Sequence, residues 1–119
     1  MESEHGAEFL AWYRGRSVTD MGLYLGHSAV RRVVMENLAR VATDAEIAAM
    51  QDVVRREAEL TLGLSTGQVY NPAVYSDQRE ITALVRAFND VKPAALFPHL
   101  RSGERQYRCQ PQRGDRGSD

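Results

Sequence analysis

A chain of 119 residues with 43% hydrophobic and 26% charged side chains has the composition of one globular domain, large enough to bury a core without disulfides or a structural metal. No apolar run approaches the roughly 18 residues of a membrane span, and the single cysteine, Cys109, excludes an internal disulfide framework and a cysteine-cluster zinc site. The formal charge of -1 is unevenly spread: within the expected fold only residues 14–41 are basic, with Arg14, Arg16, Arg31, Arg32 and Arg40 against Asp20 and Glu36.

The acidic start, Met1-Glu2-Ser3-Glu4-His5, lacks the basic-then-apolar order of a signal peptide, so a cytoplasmic location and no membrane contact are expected. Phe9, Leu10 and Tyr13 then mark one side of a helix over about 6–14, which Gly15 ends. Ser17 and Asp20 resemble a capping box and predict a short helix over 18–25, stopped by Gly26. Ser28 is the expected cap of a helix over 29–41, whose Val30, Val33, Val34, Leu38 and Val41 form a continuous apolar stripe, with Glu36 and Arg40 paired outside it.

Thr43 and Glu46 form the clearest capping box and predict a long helix over 44–62, with Ile47, Met50, Val54 and Ala58 on its buried face and Asp52 and Arg56 paired outside. Gly63 is its expected stop. Residues 63–76 contain two glycines and Asn71-Pro72, so they read as a long loop. Ser76 is the expected cap of a helix over 77–91, carried by Ile81, Leu84, Val85, Phe88 and Val91. Phe97-Pro98-His99-Leu100 reads as a last turn, and residues 101–119, rich in Arg, Gly and Gln, as a flexible tail.

These elements predict an all-α fold: a compact bundle of about five helices over residues 1–100, with the tail over 101–119. Gly22, Leu25 and Gly26, followed by arginines in the next helix, outline an imperfect helix-turn-helix. The leading expectation is therefore a small regulatory protein that binds DNA, with Arg16, Ser28, Arg31, Arg32 and Arg40 meeting phosphate or base edges. Arg32 falls where that motif wants a buried apolar residue, and Glu36 places an anion on the reading face.

Two alternatives stand beside it. One is a helical assembly module that forms a homodimer or docks a protein through helices 44–62 and 77–91. The other is a ligand-binding or enzymatic bundle using the 63–76 loop, where Tyr70, Asn71, Tyr75 and Arg79 gather polar tips. The tetrapeptide Leu25-Gly26-His27-Ser28 resembles one found near the end of tyrosine recombinases, but no tyrosine occurs between Ala29 and Val69 to serve as nucleophile.

His5, His27 and His99 are dispersed, without metal-ligand spacing, and neither a metal nor a cofactor is expected. Cys109 lies in the expected tail, and Ser65-Thr66-Gly67 lacks the Gly-Lys context of a phosphate loop. No catalytic group stands out.

Overall fold

A computed structural model describes residues 6–99, and it is an α/β structure. Three parallel strands, β1 (Leu25–Gly26), β2 (Gly63–Gly67) and β3 (Ala95–His99), lie side by side in chain order. The all-α expectation is wrong, and the error falls on three segments. The 18–25 helix is absent: Ser17 Oγ accepts from Thr19 N in a local turn, and the chain runs extended into β1. The 63–76 loop opens with β2, and the expected last turn at 97–100 is β3.

Parallel strands need long crossovers, and helices supply them. Helices α2 (His27–Val34) and α3 (Asp44–Ala58) lie between β1 and β2, while a 3-10 turn (Ala73–Tyr75) and α4 (Gln78–Asn89) lie between β2 and β3. Helix α1 (Gly6–Tyr13) precedes the sheet. Helix α2 starts earlier and ends sooner than its apolar stripe predicts. Its N-cap is Gly26, not Ser28, and Met35 turns extended so that its side chain enters the core. Val33 and Val41 are consequently half-exposed.

Helix α3 keeps its capping box. Thr43 accepts from Glu46 N, and Glu46 accepts from Thr43 N at 2.8 Å. Arg40 also binds this carboxylate, replacing the expected pair with Glu36, and Arg55 rather than Arg56 meets Asp52. Helix α4 is capped by Asp77, which accepts from Glu80 N; Ser76 instead donates to Ala73 O.

One side of the sheet packs on these helices. Leu25 and Leu64, in register on β1 and β2, join Val30, Met50, Val54, Leu84 and Phe88 in a single core. Side chains alternate along a strand, so Gly26, Ser65 and Phe97, also in register, occupy the other face. There Tyr24 packs on Phe97 with ring centroids 4.9 Å apart, and no described element covers the pair. Sheets made only of parallel strands are ordinarily covered on both faces. Here every residue of β3 is exposed.

The strands approach closely at Gly63, where a Cβ would come within 1.9 Å of Ala95 O. The bonds Ala95 N to Leu62 O and Gln68 N to His99 O set the ladder's alternation. Leu62 turns its carbonyl toward β3 while its N–H donates to Leu23 O on the other side; from there residues 64, 66 and 68 turn their backbone polar groups toward β3, and residues 95, 97 and 99 return them. The backbone groups of Leu96 and Pro98 face the edge of β3 that no described strand pairs with, where a proline, lacking an N–H, is tolerated.

Candidate active-site groove

Backbone direction decides where chemistry can sit. Side chains at the carboxyl ends of parallel strands are the usual lining of ligand sites in α/β folds, because the strand ends converge there and the following loops are free to vary. In this chain the carboxyl ends of β2 and β3 border a shallow groove of about 300 Å³, lined by Ser65, Thr66, Gly67, Phe97, Pro98 and His99. Ser65 and His99 share the open face, since His99 is in register with Gly67 two residues beyond Ser65. The Tyr70 ring meets the His99 imidazole edge-on at 5.4 Å, and a Cβ on Gly67 would strike that tyrosine ring at 2.9 Å. A hydroxyl, an imidazole and a phenol thus gather at one rim, over backbone kept narrow by glycine.

Behind this rim, on the helix side of the sheet, lies a buried polar cluster. Glu80 of α4 is fully buried and receives two partners: His27 Nε2 at 2.5 Å and Arg31 Nη1 at 2.5 Å. The other imidazole nitrogen of His27 meets Thr66 Oγ1 at 3.0 Å. Arg31 Nη2 donates to Arg40 O at 2.7 Å and Leu38 O at 3.3 Å, tying down the segment after α2. Burial pushes the Glu80 pKa up, but the hydrogen bonds and charges of His27 and Arg31 more than offset this and hold the carboxyl below its ordinary range. Glu80 is therefore an anion that joins α4 to α2 and, through His27, to Thr66 of β2.

The residues assigned to DNA do not form a cationic surface. Arg31 is buried in the cluster, Arg40 is engaged with Glu46, Arg16 lies over the Trp12 ring, and Ser28 is half-buried in the first turn of α2; Arg32 is exposed. Of the loop residues, Tyr70 reaches the groove. Asn71 precedes a cis peptide bond to buried Pro72, Tyr75 closes the 3-10 turn, and Arg79 pairs with Asp44 and Asp77. A larger depression of about 620 Å³ lies along α3 and α4, lined by Gln51, Asp77, Arg79, Thr82 and Arg86; none of its lining residues belongs to a strand. His5, Cys109 and the arginines of the 101–119 tail lie outside the described residues.

The sequence reading missed His99, Ser65 and the His27–Arg31–Glu80 cluster. Two signals pointed to them. His27 and Arg31 stand at i and i+4, one helical face, beside apolar Val30 and Val34. The alternation of helix, Gly63-Leu-Ser-Thr-Gly67, helix and Ala95-Leu-Phe-Pro-His99 is the order of a parallel α/β unit.

Fold and groove together define an α/β structure of the kind that carries enzyme sites at its strand ends, and comparison with known proteins narrows the class. No protein-family profile matches the chain. D-aminoacylase of Alcaligenes xylosoxydans xylosoxydans is 44% identical over 63 residues, covering 52% of this chain and 13% of that enzyme. N-acyl-D-aspartate deacylase of the same organism is 32% identical over 100 residues, covering 80% of this chain and 20% of the relative.

A solved D-aminoacylase, described as defining a subset of amidohydrolases, superposes with a TM-score of 0.74 at 29% identity over 82% of this chain and 21% of its own. The N-acyl-D-glutamate deacylase of Bordetella bronchiseptica, solved with zinc and a phosphonate mimic of the tetrahedral intermediate, gives 0.73 at 28% identity. The chain spans about a fifth or less of the length of these proteins. These similarities overturn the DNA-binding expectation and its helix-turn-helix assignment: the resemblance is to hydrolytic enzymes, and the Ser17–Val41 region forms a strand and its crossover instead of two helices around a turn.

A structure of D-aminoacylase is described in terms of a binuclear metal centre. Among the described residues of this chain, no three His, Cys, Asp or Glu side chains lie together so as to hold a metal ion. His99 stands without such companions at the strand ends, so the described residues do not by themselves fit a metal centre.

Proposed function

We propose that this chain forms one segment of the α/β core of an N-acyl-D-amino-acid deacylase of the amidohydrolase type, and that its groove is part of the wall of the reaction site. The observation that carries this reading is the position of His99: an exposed imidazole at the carboxyl end of a parallel strand, on the face the helices leave open. The resemblance to D-aminoacylases and deacylases supplies the reaction, hydrolysis of the amide that joins an acyl group to a D-amino acid.

Each groove residue has a role that its chemistry permits. The His99 imidazole offers one nitrogen to hold or move a proton at the reacting amide. The hydroxyls of Ser65 and Tyr70 offer hydrogen bonds to the substrate's carbonyl or carboxylate oxygens. Phe97, with Tyr24 packed on it, presents an apolar surface beside them. The uncovered face is where the rest of such an enzyme packs, giving the parallel sheet its second layer.

The test is a chimera in which this chain replaces the matching segment of a D-aminoacylase. Hydrolysis of N-acyl-D-amino acids, with the L-enantiomers left uncleaved, is the expected result. A chimera that folds, by circular dichroism and cooperative melting, yet cleaves neither enantiomer would overturn the reading.

A further inference from the structure

The buried cluster and the groove meet at one residue. Thr66 sends its side chain to the helix side, where Oγ1 meets His27 Nδ1, while its backbone faces β3 in the ladder. The neighbouring rung is Gln68 N to His99 O at 3.1 Å, and Gly67 is the register partner of His99. A constraint on Thr66 is therefore passed to His99 through backbone hydrogen bonds, without a side chain between them.

His27 is suited to impose that constraint. It is fully buried, and its second nitrogen is bound by Glu80, which Arg31 holds in turn. An imidazole bound on both nitrogens cannot rotate without breaking a bond, and a carboxylate on Nε2 fixes that nitrogen as the donor. We propose that His27 is a positioning residue: clamped by Glu80, it holds Thr66, and through the backbone of β2 it sets the place of His99 at the groove. This bears on hydrolysis only by way of the reading proposed above, but the clamp is testable without it.

The test uses the 119-residue chain with Thr66→Val, which keeps the shape and removes the hydroxyl, Thr66→Ser, which keeps the hydroxyl, and His27→Gln. Amide hydrogen exchange is followed at Leu64 and Gln68, together with the ring resonances of His99. Thr66→Val should speed exchange at Gln68 about tenfold while Leu64 changes less than about twofold, the scale of one lost hydrogen bond opening a strand end locally. It should also shift the His99 ring signals, and Thr66→Ser should restore both; His27→Gln should behave as Thr66→Val.

Unchanged Gln68 exchange in Thr66→Val overturns the proposal. So does equal acceleration at Leu64 and Gln68 that serine does not rescue, since that is general loosening. If His27→Gln does not fold, the valine and serine pair decides. None of these readouts needs a substrate: a working clamp with an inactive chimera rejects the hydrolytic reading alone, and an active chimera with unchanged exchange rejects the clamp alone.

Discussion

Replacing Glu80 by glutamine removes one charge at the junction of α2, α4 and β2 and almost no volume. Arg31, fully buried, would keep its bonds to Leu38 O and Arg40 O but lose its only ion-pair partner among the described residues, and His27 would lose its acceptor carboxylate. Leaving a buried charge uncompensated costs about 3–5 kcal/mol. Domains of this size are stable by about 5–15 kcal/mol in total, so the substitution removes a large fraction of the folding free energy. With an m-value of about 1–3 kcal/mol/M, the urea midpoint should fall by about 2 M.

Urea unfolding followed by circular dichroism reads the midpoint, and a double-mutant cycle with Arg31→Met separates the pair from its surroundings. Glu80→Gln with Arg31→Met should be less destabilised than the sum of the single variants by about 1 kcal/mol or more, because no unpaired guanidinium remains. A loss below about 1 kcal/mol for Glu80→Gln, on the scale of an exposed pair, would refute the view that this carboxylate is the buried hub of the fold.

The same carboxylate sets an acid limit. Its folded pKa lies below the ordinary 4.5, so its contribution is fully present above that value and is lost as pH falls below it through the folded pKa; a pH series should show an acid limb in the wild type that is diminished in Glu80→Gln. At the start of α3, the Glu46 carboxyl, held down chiefly by its hydrogen bonds from Arg40 and Thr43, should titrate at about 2 by NMR. Thr43→Ala should cost about 1 kcal/mol through loss of the cap. Gly63→Ala would drive a methyl group into Ala95 O and should cost about 1–3 kcal/mol, with loss of β2–β3 amide protection; an unchanged exchange pattern would contradict the close strand contact.

The helices α3 and α4 were legible because their burial is one-sided. Their apolar residues recur at helical spacing, and Thr43 with Glu46 marks the start of α3 by chemistry local to the chain. The strands were not legible. Strand β1 has two residues, too few for any periodicity. Strand β2 reads Gly-Leu-Ser-Thr-Gly, in which only Leu64 reports a core face, and its two glycines, Gly63 set close to β3 and Gly67 set close to the Tyr70 ring, carry the signature of a turn. In β3, Pro98 argues against a strand until it is known to face the free edge.

The candidate site was hidden for a related reason. From sequence alone nothing joins His27 and Arg31 in a buried cluster, because their shared partner Glu80 lies 53 and 49 residues away. Arg31, expected at a phosphate, is instead buried, and Glu80 neutralises it there. His99, read as part of a turn, gains meaning only from its place at the end of a parallel strand. Tyr70, singled out as a loop tyrosine, does lie at the groove, beside that histidine.

The most direct measurement of the central claim is the rate of N-acyl-D-amino-acid hydrolysis by the chimera with and without His99→Ala. If His99 stands at the reaction site, the substitution should lower kcat/KM by about a hundredfold or more, the scale of removing one group that acts on the transition state, while the melting temperature is unchanged. An active chimera whose kcat/KM is the same with alanine at this exposed position would contradict the account.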